Sequence, residues 1–463
     1  MEVTGRYFNF CGITNYRPWI ELPWFIELLY SPIFLQGILW VIYWFAVPVE
    51  YLIIPYFISL GAIWLTNILI FIEVLLALYL SMRLKPPHLE NVDSEKQTPL
   101  TIVIPAYLPN EFKIIEDTVR HIIALPDYIT IHPIIIIIFN CGVQSDHTSL
   151  IERLTELGAI CIYSSTSHSK AENINLALTT IQTEYIFILD ADHRPHNGSL
   201  NRALSLISND SKSHAIQGLC LIDVKRHDSF LSKIVSVEFA ELYGINHYGG
   251  RKFHNYGIFG GSNCIWRTST LLDLKLDPEM LTEDIDISFR CLERGYRIDF
   301  DPYIISEEEA PRSMISLYRQ RLRWSQGWSQ VALYHTLKVI FNMKTTLYQK
   351  VMTLLFLVWR ELFYYLSLHC LPAGLIKIIK TETIDYVFYI LLVITIITLI
   401  FPIVKLLALS YILRDVGGLP PLRHSVYYIL CIIPYELFKI SIAHIGHLRI
   451  LLGSKRWTVT KRE

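Results

Sequence analysis

The segment Tyr185-Ile-Phe-Ile-Leu-Asp-Ala-Asp192 is a short apolar run closed by two carboxylates one residue apart. Five consecutive apolar residues, rich in β-branched and aromatic side chains, read as a strand buried on both faces. Three similar runs precede it: Leu100-Thr-Ile-Val-Ile104 before Pro105, Pro133 to Phe139, and Ile160 to Tyr163. Between them, 110–124, 149–157 and 171–180 carry apolar residues at helical spacing. Strand alternating with helix predicts an α/β domain with a mostly parallel sheet covered on both faces. Such sheets bind ligands beyond the carboxyl ends of their strands, which is where Asp190 and Asp192 stand.

This domain sits between two apolar provinces. Apolar residues make up 52% of the 463-residue chain and are unevenly spread. Roughly 20 apolar residues span a bilayer core as helix. The stretch Pro32 to Leu80, broken near Pro48-Val49-Glu50, is long enough for two crossings, and Val351 to Leu452 forms a second province. In the latter, Pro434, Glu436, Lys439, His444, His447 and Arg449 interrupt 425–452, which favours a dip followed by an interfacial helix. Two crossings before the domain and two after are expected, with three after as the alternative. The division is 1–31, an N-terminal segment; 32–82, two transmembrane helices; 94–311, the α/β domain; 312–344, interfacial helices; 350–452, transmembrane and interfacial helices; and 453–463, a tail.

Basic residues cluster at Met82-Arg83-Leu84-Lys85, Lys455-Arg456 and Lys461-Arg462, so the positive-inside rule places the domain in the cytoplasm. A net charge of −1 gives no field toward nucleic acid. Eight cysteines without a C-x-x-C pair suggest neither a zinc site nor a disulfide framework.

Several sets of residues could carry chemistry. Asp190 and Asp192 are hard oxygen ligands able to hold Mg²⁺ or Mn²⁺ together with phosphate oxygens, although an isolated pair of this kind is more often an acidic turn. Thr282-Glu283-Asp284 opens a helix that Gly295 closes; the acids suit the helix dipole, and one of them could also serve as a general base. Gln320, Arg323 and Trp324 fall on one helical face, presenting an amide, a guanidinium suited to pyrophosphate and an indole suited to a sugar ring. The same helix, with Arg319, Arg321 and Trp328, has the composition of a membrane-surface helix. Lys170 opens a helix after the third strand, and Phe259-Gly-Gly-Ser-Asn263 either admits a ligand close to the backbone or is a turn. Arg360-Glu361, an ion pair inside an apolar run, reads as facing a neighbour or a polar path.

In this order, Pro105-Ala-Tyr107 with Glu111, Lys170, Asp190-x-Asp192, Thr282-Glu-Asp284 and Gln320-x-x-Arg323-Trp324 resemble the inverting family 2 glycosyltransferases. Among these the chain is similar to membrane-embedded cellulose, chitin, hyaluronan and poly-N-acetylglucosamine synthases. The resemblance implies a cytoplasmic GT-A-like domain held by membrane helices in the plasma membrane. It also implies a metal on Asp190 and Asp192, and a UDP-sugar donor contacted by Ala106, Tyr107, Glu111, Asn140, Lys170 and Asp190. Asp284 would be the base beside Glu283. Gln320, Arg323 and Trp324 would serve diphosphate and acceptor, and the tail Trp457 to Arg462, with Thr460 and Arg462, would be a gating loop. One departure stands out: Asn140-Cys141-Gly142 replaces the family's Asp pair at the base, and Asp146 is too distant to substitute. The implied activity is elongation of a glycan and its secretion through the protein's own channel, with an accessory secretion protein as a further partner. Transfer of one sugar to a lipid such as ceramide or polyprenyl phosphate is the alternative, and a transporter or scaffold with an inactive domain is a third reading.

Overall fold

In the computed structural model of the chain, residues 32–83, 99–140, 147–381 and 386–453 are described. The tail call, including Thr460 and Arg462, falls outside these residues, as does 1–31. So do Cys141, Gly142, Asp146 and the basic residue Lys85.

Eight strands form one sheet. They are β1 (Leu100–Tyr107), β2 (Ile134–Asn140), β3 (Ile160–Tyr163), β4 (Tyr185–Ile188), β5 (Arg194–Pro195), β6 (Ala215–Ile222), β7 (Cys264–Arg267) and β8 (Ile298–Glu308). Their order is β3-β2-β1-β4-β7-β6-β8-β5. The half built from the apolar runs is parallel, β1 lying between β2 and β4. The other half is mixed: β7 is antiparallel to both β4 and β6, whereas β6 and β8 are parallel. The chain reaches β7 through the Gly260-Gly261 loop and so arrives from the opposite direction.

Period-2 alternation sorts the strand residues into two cores. Ile102, Ile104, Ile135, Ile137 and Phe187 pack with Ile115, Val119 and Leu150 on one face. Val103, Ile136, Ile138, Ile186 and Ile188 pack with Ala171, Ile174 and Ile287 on the other. Each strand is therefore apolar on both sides, which is why its sequence shows no alternation.

Among the described residues, four helical stretches are long and apolar enough to cross a membrane: Val49–Arg83, Leu347–Lys380, Tyr389–Ile412 and Leu422–Leu451. The break at Pro48 is present, but the helix before it, Pro32–Phe45, has only 14 residues. At ~1.5 Å per residue it is shorter than a bilayer core of about 30 Å. The last helix also differs from expectation, because Leu422–Leu451 is continuous over 30 residues, with Pro434 inside. Several of its polar residues have partners within the protein. Glu436 and Lys439 face an internal cavity, and His447 pairs with Glu361.

The domain is fastened to its first long membrane helix. Glu73 accepts from Asn246 Nδ2 at 2.7 Å and lies 3.3 Å from His254 Nε2. Gly249 permits this approach, because a Cβ there would overlap the Glu73 carbonyl. Gly249→Ala should therefore destabilise the protein by about 1–3 kcal/mol, the range for forced overpacking. Thermal unfolding of the detergent-solubilised variant, compared with wild type, checks this.

Candidate active site

Asp190, just past the carboxyl end of β4, the Gly260-Gly261 loop and several helices line one cavity of about 640 Å³, and Lys170 is among its lining residues. Ser169 caps the Lys170–Leu178 helix by accepting from Glu172 N, so Lys170 projects from the first turn. Its Nζ lies 2.5 Å from Asp190 Oδ1 and donates to Gly261 O at 2.8 Å. Burial alone would depress this ammonium, but Asp190, Glu283 and Asp284 outweigh it and hold the group above its usual range.

The Gly260-Gly261 loop is set from below by Gln217, which is fully buried. Its Oε1 accepts from Gly260 N and its Nε2 donates to Ser262 O. Ser262 Oγ in turn accepts from Asp190 N at 2.9 Å. Gly261 has φ +90°, a left-handed conformation that favours glycine, and a Cβ there would stand 3.0 Å from Asp284 Oδ2. The loop thus brings backbone against Asp284 and, through Ser262, against the Asp190 backbone.

Asp284 and Glu283 occupy the first turn of the Glu283–Arg294 helix, and both line the cavity. Thr282 is the residue before the helix, but its hydroxyl makes no capping bond. The side chain instead packs on Gly327, where a Cβ would collide with it. Burial first, then the Glu283 charge, pushes Asp284 up to about 7, against the opposing pull of Lys170 and Arg323. A carboxyl near neutrality is suited to proton transfer.

Gln320, Arg323 and Trp324 lie on the Met314–Phe341 helix and line the same cavity. Their placement relative to Asp284 is over-determined. Arg323 Nη1 donates to Leu281 O, and the Gln330 amide brackets the same turn through Leu281 N and Glu279 O. Farther along, buried His335 bridges Asp286 at 2.8 Å and Glu293 at 2.6 Å. Both ring nitrogens face carboxylates, which outweigh burial and raise the imidazole above its usual range.

Lys170, Asp190, Glu283, Asp284, Gln320, Arg323 and Trp324 are therefore gathered around one space. Ala106, Tyr107 and Asn140 stand at the ends of β1 and β2, and Glu111 in the turn that follows β1; none of the four lines that cavity. Tyr107 and Asn140 are register partners across β1 and β2. Glu111 accepts from Tyr107 N at 2.6 Å. The Asn140 amide donates to Ser167 O and accepts from Asn173, which also bonds Ala106 O. Among the described residues no group of three or more His, Cys, Asp or Glu is gathered as metal ligands. Asp190 presents a carboxylate to the cavity, whereas Asp192 is buried and accepts from Glu309 N. That donor set fits Mg²⁺ or Mn²⁺, hard ions held by one or two carboxylates plus substrate phosphates.

Sequence reasoning missed His193 and Glu308, 3.6 Å apart on the cavity wall. It also missed Glu238, Glu241, Tyr243, Asn246 and His247. Asn246 and His247 belong to a π-helical turn, Leu242–His247, whose local widening no spacing rule reveals.

Residues 185–411 match the family model described as glycosyl transferase family group 2. Over 236 residues the chain is 28% identical to the poly-β-1,6-N-acetyl-D-glucosamine synthase of Staphylococcus aureus (strain COL), covering 50% of this chain and 55% of that protein. The synthase of the same name from Staphylococcus epidermidis is 26% identical over 183 residues, 39% of this chain and 44% of that one. The matched stretch thus spans about half the length of these relatives. A mannosyltransferase from Pyrobaculum calidifontis, solved in complex with GDP-Man and Mn²⁺, superposes with a TM-score of 0.50 at 19% identity. It covers 77% of this chain and 97% of that one, and shows the shared GT-A fold. Residues 185–411 are thus similar to family 2 glycosyltransferases, and apolar helices flank the α/β domain.

The raised Asp284 carboxyl has a consequence for stability. Its folded-state value lies above the unfolded one, so ionising it costs the folded state free energy at pH above the unfolded value, fully so above about 7. Asp284→Asn should therefore stabilise the folded state at pH 8 by on the order of 1 kcal/mol or more, seen as a higher unfolding temperature. The gain should disappear near pH 4, which parallel melting curves at the two pH values test.

Proposed function

We propose that this protein is a membrane-embedded, inverting glycosyltransferase that elongates a polysaccharide from a UDP-sugar. One observation carries the reading: the cavity holding Lys170, Asp190, Asp284 and Arg323 is also walled by all four candidate spans. Ile70, Phe356, Arg360, Tyr364, Lys405, Glu436 and Lys439 belong to those helices. Catalytic residues at one end of a space and membrane helices at the other suit a product that leaves through the protein. The curated relatives bear the names of polymer synthases, which supports polymer over single transfer to a lipid.

The chemistry follows from the residues. Asp284, ionised, takes the proton of an acceptor hydroxyl. That oxygen attacks the anomeric carbon as the bond from this carbon to the diphosphate breaks, and UDP leaves with the electron pair. A single displacement of this kind inverts the configuration. Lys170 and Arg323 offset the charge that develops on the leaving diphosphate, the electrostatic contribution that is usually largest. Asp190, with Asp192 behind it, would hold a divalent ion against the diphosphate, where it supplies further charge neutralisation. Trp324 offers the acceptor a ring face. Nucleotide sugars are made inside cells, and with the basic residues flanking the spans this favours a cytoplasmic domain on the plasma membrane.

Purified protein offered a panel of UDP-sugars, with product sized on a gel, tests the reading; no UDP release from any donor overturns it. Asp284→Asn should lower turnover by about 10²–10⁴, the scale of a lost general base, while UDP binding persists. In wild type, kcat/KM should rise with pH through about 7 and level off above it, because the base must be ionised. Excess EDTA should abolish transfer, and Mn²⁺ should restore it; full activity in EDTA contradicts the metal assignment.

A further inference from the structure

Below the catalytic end, the cavity wall carries a charge cluster that the chemistry above leaves unused. Glu238, on the Phe230–Glu241 helix, is its centre. Its Oε2 lies 2.5 Å from Arg321 Nη2 and accepts from Tyr435 OH at 2.8 Å. Its Oε1 is 3.9 Å from Lys439 Nζ, which also meets Glu436 at 2.7 Å. The Arg321 guanidinium in turn lies over the Trp324 ring, 4.1 Å from its centroid. Phe239, the neighbour of Glu238, approaches the same indole with ring centroids 6.3 Å apart. Glu238, Phe239, Arg321, Trp324, Glu436 and Lys439 all line the cavity.

We propose that Glu238 and Arg321 are positioning residues for the Trp324 indole, and that they tie its placement to the membrane helix Leu422–Leu451. This rests on the reading of the cavity as the acceptor's path. A guanidinium stacked on an indole is held only as firmly as its own ion pair, and here that pair is nearly buried. Arg321 alone has too many rotamers to fix a ring; the carboxylate removes that freedom. Tyr435 and Lys439 then hold the carboxylate from the membrane side. A shift of the Leu422–Leu451 helix is thereby felt at the surface on which an acceptor sugar would stack, while Lys170 and Asp190 lie on separate elements. Disturbing Glu238 should impair use of the acceptor rather than of the donor.

The test uses the full chain in lipid nanodiscs, with UDP-N-acetylglucosamine as donor and a short β-1,6-linked N-acetylglucosamine oligosaccharide as acceptor. Glu238→Gln should raise the acceptor KM about tenfold, equivalent to about 1.4 kcal/mol at 25 °C, and shorten the product. The donor KM should stay within about twofold of wild type. Tyr435→Phe removes one neutral hydrogen bond and leaves the ion pair. It keeps the fold should Glu238→Gln fail to, and should raise the acceptor KM about two- to threefold, as expected for one such bond. Unchanged acceptor KM and product length in Tyr435→Phe and in any folded Glu238→Gln would overturn the proposal. So would a parallel rise in both KM values, the mark of general damage. A wild-type protein that releases no UDP from any donor would instead sink the reading of the site, and this inference with it.

Discussion

The Lys170 ammonium is the point on which the site depends. It binds the Asp190 carboxylate and the Gly261 carbonyl at once, and its charge is felt at Asp284. Three separate chain segments therefore meet around one cation. Without it, Asp190, Glu283 and Asp284 would be like charges crowded into a half-buried space, and such groups repel or take up protons. With it, Asp190 is paired while Asp284 still sits near neutrality. In the proposed mechanism the same cation would meet a diphosphate, so binding a nucleotide would exchange one anionic partner for another.

The helices that carry Asp284 and Arg323 are held in register by contacts of different kinds. Small-residue packing at Thr282 and Gly327, the Gln330 amide and the His335 bridge act at successive turns. Catalysis by proton transfer and charge neutralisation is sensitive to displacements of about 1 Å. Redundant bracing between Asp284 and Arg323 would answer that sensitivity in the proposed mechanism. It also explains why the Thr282 hydroxyl is given up as a cap: packing against Gly327 matters more at this junction than one hydrogen bond.

Much of this was readable from residues alone, and the reasons differ. Ile186 and Ile188 point to one core and Tyr185 and Phe187 to the other, so an unbroken apolar run signalled a strand buried on both faces. Asp190 and Asp284 could be singled out as candidates because strand ends and helix starts are where such sheets place their chemistry. Antiparallel β7 was not foreseen, since Cys264–Arg267 is a short strand whose direction depends on the loop before it. The final helix misled for a physical reason: Glu436, Lys439 and His447 look like headgroup-seeking residues in one dimension. In three dimensions they face Glu238, the cavity and Glu361. Glu238 itself escaped notice because a single acid on an apolar helix has no local signature; only its partners from distant segments give it meaning.

The fastening of the domain to the Ile53–Arg83 helix bears on how the protein can be handled. Asn246 and His254 complete their bonds only with Glu73, and Gly249 is shaped to the backbone of that helix. A soluble fragment cut free of its membrane helices would leave these polar groups without their partner. It would also bare the apolar surface around Tyr243 and Tyr248 that now meets Val74 and Ala77. Such a fragment is prone to self-association, and the catalytic half is best regarded as inseparable from its anchor.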